Sequence, residues 1–240
     1  MRQWIFAGAA VCVFAGLAFS QLHFDVASIN ASNPDSAASD SLYTDHSGSL
    51  HMENYPLRGI ILFAYDLRDF ELLDAPGWID TARYDILAKT EAGKTDDDQV
   101  RERIQSLLSS RFSLRAHHEA KELTSYALTV AKGGPKLKVV TVPGEQLGFR
   151  GSRGHNQGFA ITMPMFAKEL GHLTGRPVID RTELAGKYDY VLEWSLDADA
   201  SGGSPTIFTA LQEQLGLRLE SVKATVDTLV IDHIERPSQN

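Results

Sequence analysis

The feature that most narrows the fold is that one order of local signals occurs twice along the chain. Pro56 opens a stretch in which Leu57, Ile60, Ile61, Ala64 and Tyr65 fall at helical spacing, with proline at a first-turn position where its missing N–H costs nothing. Extended runs at 70–73 and 84–89 follow, then a helix from Thr95, whose hydroxyl can cap it while Asp97 and Asp98 favour its positive end. Its buried stripe is expected to be Val100, Ile104, Leu107 and Leu108, with strands after it at 112–118 and 125–130. Pro164 then opens a helix carrying Phe166, Ala167, Leu170 and Leu173, closed by Gly175 in the left-handed conformation. Extended runs at 177–179 and 188–194 lead to Ser204-Pro205, which starts a helix with Ile207, Leu211 and Leu215, stopped by Gly216. Strands at 217–219 and 226–234 complete the second pass.

The offsets between the two passes are nearly constant: 108 residues between the opening prolines, 104 between Tyr84-Asp85 and Tyr188-Asp189, and 105 between the strands after the later helices. Turn chemistry alone would not preserve order and spacing together, which favours an internal duplication over two independent stretches that share generic caps. The expected fold is α+β, with two tandem αββαββ halves at 51–137 and 159–240. Each has a leading strand, 49–54 and 159–163, and helices packed on mainly antiparallel sheets. Between the halves, 138–158 holds Gly144, Gly148, Gly151, Gly154 and Gly158 and reads as a flexible linker.

Residues 1–20 read as a signal peptide: Arg2, an uncharged apolar stretch from Trp4 to Phe19, and the small-x-small site Ala18-Phe19-Ser20 before Gln21. The competing reading is a retained anchor, since the stretch is at the short edge of a membrane span. Cleavage would leave 22 basic against 31 acidic residues, a net charge of −9, and no cysteine, because Cys12 lies in the leader. The expected location is therefore extracytoplasmic, periplasmic or secreted, with no membrane span after cleavage. The acidic balance disfavours nucleic acid, which is held mainly by Lys and Arg. Residues 21–50 read as a strand at 23–29 followed by a Ser-, Asp- and Ala-rich tether.

Signals of catalysis are sparse. His117 and His118 are adjacent in an expected strand, point to opposite faces and cannot chelate one ion together. No other histidine has metal-ligand spacing, and there is no GxSxG elbow, Walker loop or dinucleotide fingerprint, so no metal, cofactor or catalytic residue is assigned. Gly148 to Gly154, with Arg150 and Arg153, could cradle an anion but reads more simply as part of the linker. Asp85 and Asp189 suggest a glycosidase pair, although each follows a tyrosine in an alternating strand, where an outward carboxylate beside an inward ring is the plainer account. Trp78, in the turn Ala75-Pro76-Gly77-Trp78, is the one candidate binding residue: exposed, it suits a carbohydrate or protein contact, and buried, it forms a lid over the first helix.

Several longer motifs carry a resemblance. Phe24 to Ile29, Pro76 to Asp80 with Arg83-Tyr84-Asp85-Ile86, the run Val130-Ala131-Lys132-Gly133-Gly134-Pro135-Lys136-Leu137, Gly175 to Asp180, Leu211 to Leu217 and Ile231-Asp232-His233 resemble a large paralogous family of secreted, uncharacterised Acidobacteria proteins, a domain of unknown function. That resemblance implies no established activity. Similar domains occur on membrane-bound peptidases of the antibiotic-sensor type, which implies sensing or docking outside the cytoplasm. The βαββ pattern also resembles the short N-terminal domains of secretins and TonB-dependent receptors, which bind partners. The expected function is thus a non-catalytic binding or interaction module of the cell envelope, its partner an unknown envelope protein or ligand. The alternatives are a sensor ectodomain working with a membrane partner, and an envelope hydrolase acting on glycan or peptide.

Overall fold

The computed structural model describes residues 22–32, 39–45, 47–91, 93, 96–141, 147–196 and 205–237. The apolar stretch 4–19, with Cys12, lies outside them, as do Thr95 and Ser204. The fold is mixed α+β, with three four-stranded, mainly antiparallel sheets and five α-helices among the described residues.

The first outer sheet has β1 (Val26–Ala31), β5 (Arg83–Lys89), β3 (Leu50–Pro56) and β2 (Ser41–Thr44), in the order β1-β5-β3-β2. Alternating Tyr84, Ile86 and Ala88 put one face of β5 inward, onto α1 (Leu57–Ala64) and α3 (Asp97–Phe112). Val100, Ile104, Leu107 and Leu108 line the buried face of α3, as its spacing predicts. Its cap is Asp96, whose carboxylate accepts from the Gln99 N–H at 2.8 Å. Pro56 is the last residue of β3 and the N-cap of α1, one position earlier than expected.

The other outer sheet has β7 (Lys138–Val139), β11 (Tyr188–Glu193), β9 (His155–Ile161) and β8 (Gly148–Ser152), in the order β7-β11-β9-β8. Its apolar face meets α4 (Met163–Thr174) and α5 (Ile207–Ala210), which runs into a π-helical turn, Leu211–Leu215. The cap of α5 is Thr206, whose hydroxyl accepts from the Thr209 N–H. The expectation of a flexible linker across 138–158 is thereby corrected for 138–139, 148–152 and 155–158, which are strands. Gly148 to Ser152 pair with 155–159, because a glycine in an antiparallel ladder still donates and accepts its backbone hydrogen bonds. The tether is likewise partly a strand, β2, paired with β3.

The third sheet joins the other two and has the order β10-β6-β12-β4: Val178–Asp180, Arg115–Val130, Leu217–His233 and Leu72–Leu73. Each helix was expected to be followed by two strands, but β6 and β12 are single strands of 16 and 17 residues. Their polar middles, such as Glu119 to Glu122, bury neither face deeply and lack an apolar stripe. The backbone ladder carries the strand through, pairing Glu119 with Thr228 and Glu122 with Thr225.

The long strands pass from one core to the other. Ala116 at the start of β6 packs in the first core, and Leu128 near its end is buried in the second. β12 runs the opposite way, with Leu217 in the second core and Leu229 and Ile231 in the first. The short strands follow: β4 pairs parallel to β12, and β10 parallel to β6. Each apolar core is therefore completed by a strand from the other half of the chain.

Candidate functional site

Where the chain turns out of α1, Asp66 takes a left-handed conformation (φ 52°) and starts a charged run through Arg68 and Asp69 into the 3-10 turn that precedes β4. Facing it is α4, whose Lys168 donates to the Asp66 carboxylate. Gly171 on α4 gives the Phe70 ring room: a Cβ there would lie 3.5 Å from Phe70 Cζ and 3.3 Å from the Arg176 carbonyl. Between these elements lies a cleft of about 500 Å³ lined by Tyr55, Leu62, Phe63, Asp66, Leu67, Arg68, Asp69, Phe70, Arg101 and His172. A neighbouring hollow of about 320 Å³ shares Asp66, Arg68, Phe70 and Gly171 and extends to Lys168, Pro177 and Val226. The cleft is lined by both charged and apolar side chains, and both halves of the chain contribute to it.

Its acidic groups are engaged. Burial pushes the Asp66 carboxyl up, but the hydrogen bond and charge of Lys168, with Arg101 and Arg68 nearby, outweigh that and hold it below the usual carboxylate range. Asp69 accepts from Arg58 Nε at 2.7 Å, and the Glu71 carboxylate accepts the Arg68 backbone N–H at 2.7 Å. Arg101 bonds Asp98 at 3.0 Å and lies over the Phe63 ring, 5.6 Å from its centroid. Arg68 differs in that its guanidinium has no ion pair among the described residues; its Nε, like that of Arg101, is buried without a partner.

The residues singled out from sequence lie elsewhere. Asp85 and Asp189 sit in different outer sheets and share no cavity among those described. Each closes a bulge. Glu53 and Asn54 together oppose Asp85, whose carboxylate accepts the Asn54 N–H at 2.7 Å. Phe159 and Ala160 together oppose Asp189, which accepts the Ala160 N–H at 2.9 Å. Both bulged residues are left-handed, with φ of 48° and 50°. A carboxylate held by a strained backbone N–H is a structural clamp, so the catalytic-pair reading gains nothing here.

Trp78 opens a short helix, α2 (Trp78–Thr81), rather than a turn, and packs half-buried on the first core. The Arg236 guanidinium covers its ring at 4.8 Å from the centroid, and it does not line the cleft. His117 and His118 pair with different carboxylates, Asp232 at 2.9 Å and Asp227 at 2.8 Å. Among the described residues no cluster of three or more His, Cys, Asp or Glu is placed to hold a metal ion, and no helix is long and apolar enough to cross a membrane. Arg150 of the glycine-rich segment lies over the Phe159 ring, 5.2 Å from its centroid.

Sequence reasoning missed Asp66, Arg68, Arg101 and His172. The available signal was three charges in four residues, Asp66 to Asp69, directly after an apolar helix. Such a run usually marks a solvated turn, and only the packing of α4 against it makes a site.

The longest motifs meet each other instead. The Ala131 N–H donates to the Gly216 carbonyl at 2.9 Å, the Lys136 N–H to the Leu215 carbonyl at 2.8 Å, and Lys136 Nζ to the Glu213 carbonyl at 2.7 Å. Residues 58–234 match the family described as a protein of unknown function (DUF3738). No curated protein and no solved structure matches the chain.

Proposed function

The chain belongs to the DUF3738 family of proteins of unknown function, and from that premise we propose that it is an exported, non-catalytic binding module made by tandem duplication, with its ligand seat in the cleft between α1 and α4. The observation that carries the reading is the cleft itself, about 500 Å³, the size of a small-molecule pocket, lined by apolar and charged side chains together. Binding is favoured over hydrolysis because the carboxylates of the cleft and its adjoining hollow are committed to Lys168, Arg58 and a backbone N–H, and Asp66 is held ionised, the wrong state for a general acid. Export rests on Arg2, the apolar stretch and Ala18-Phe19-Ser20.

Several pairs of observations support duplication. The outer sheets run β1-β5-β3-β2 and β7-β11-β9-β8, an order that corresponds strand for strand when β1 is set against β7 and β5 against β11. The two bulges and their aspartate clamps lie 106 and 104 residues apart. A reciprocal pair joins the halves: Ala131 N–H to the Gly216 carbonyl, and Glu235 N–H to the Phe112 carbonyl at 2.8 Å.

Thermal unfolding of the full chain against a panel of small neutral, cationic and anionic compounds tests the binding reading. A saturable rise in Tm with at least one class, abolished when Leu62→Trp fills the cleft, is the expected result. A flat response across the panel contradicts it.

A further inference from the structure

We propose that Arg68 is the recognition group of the cleft and that its ligand is a monocarboxylate carried on an apolar body. The inference rests on the cleft being the binding seat and names what it takes.

A guanidinium has five N–H donors in a planar fork that matches a carboxylate with two parallel hydrogen bonds. Arg101 uses its fork on Asp98, and Arg58 uses its own on Asp69 and Asp80. Arg68 lines both the cleft and the adjoining hollow, and among the described residues its guanidinium makes no hydrogen bond or ion pair. Nearby carboxylates do not take that role: Asp66 is held by Lys168, and Glu71 accepts the Arg68 backbone N–H.

The same backbone bond fixes where Arg68 stands. It anchors the residue at the head of the 3-10 turn, and the next strand, β4, is locked by parallel pairing to β12. An arginine whose main chain is held and whose fork is unused is preorganised for an anion. Beside it, Leu62, Phe63 and Phe70 form an apolar wall, which suits an aryl or alkyl body better than a bare hydrated anion.

Calorimetric titration of the full chain with 1-naphthoate, 1-naphthalenemethanol and inorganic phosphate tests this. The expected result is saturable binding of 1-naphthoate, weakened about tenfold or more in Arg68→Met, with the neutral alcohol bound more weakly and unaffected by the variant. Naphthoate binding that is unchanged in Arg68→Met overturns the role of Arg68 and leaves the cleft as a binding seat. Phosphate binding as tight as naphthoate overturns the apolar body. No binding of any probe overturns this inference, while failure of the wider thermal panel would overturn the cleft itself. If Arg68→Met does not fold, Arg68→Lys is read instead: it keeps the charge and loses the fork, so at least about threefold weaker naphthoate binding is expected, and unchanged binding overturns the proposal.

Discussion

Asp85 and Asp189 show how the same residue type in the same local setting can suggest chemistry and turn out to carry structure. Each carboxylate accepts a backbone N–H from a left-handed residue in a bulge, and Asp85 also accepts the Ser32 hydroxyl at 2.8 Å. Removing the acceptor strands a donor that the bulge holds in place. Asp85→Ala and Asp189→Ala are each expected to lower stability by about 1–3 kcal/mol in urea unfolding. A variant with unaltered stability would contradict the clamp. At the cleft, Asp66 ionises more readily in the folded chain than in the unfolded one. Its contribution to stability is therefore present above the ordinary carboxylate pKa, about 4, and is lost as pH falls through the lower folded value. Lys168→Met removes the first stabilising partner, so the Tm gap between wild type and variant is expected to be open at pH 6 and to narrow below about pH 4. A gap independent of pH would contradict the pairing.

Among the elements, the longer helices were legible, while the short helix α2 and the long strands were not. Apolar residues at helical spacing placed the buried faces of α3 and α4, including Phe166, Ala167 and Leu170. The strands β6 and β12 were expected in pieces because their middles lack apolar alternation, and only the partner ladder makes them continuous. Capping was less legible: Asp96 and Thr206 do the work expected of Thr95 and Ser204, since several neighbouring residues offered a suitable oxygen. Bulges and the cleft were hidden, because both depend on which strand or helix lies opposite. Gly216 was read as a helix stop, and it is one, with φ of 64° at the end of the π-helical turn. Its second duty was not readable: a Cβ there would collide with the Gly134 carbonyl, where the segment 131–136 docks. Gly216→Ala is expected to cost about 2 kcal/mol or more, combining left-handed strain with that collision. Thermal unfolding measures it, and an unchanged midpoint would contradict the docking.

At the scale of the molecule, the two portions of the chain cannot be separated as independent halves. The end of β12 supplies Leu229 and Ile231 to the first core, and the end of β6 supplies Leu128 to the second. Sixteen residue pairs join these strands. The cleft lies at the same joint, so whatever holds the portions together also shapes the proposed ligand seat. Two tryptophans report on the two cores: Trp78 packs on the first and Trp194 on the second. Urea unfolding followed by fluorescence in the single-tryptophan variants W4F/W194F and W4F/W78F tests the shared architecture most directly. Interlocked cores predict coincident transitions with one midpoint in both variants. Two separated transitions, one core melting while the other stays folded, would contradict it.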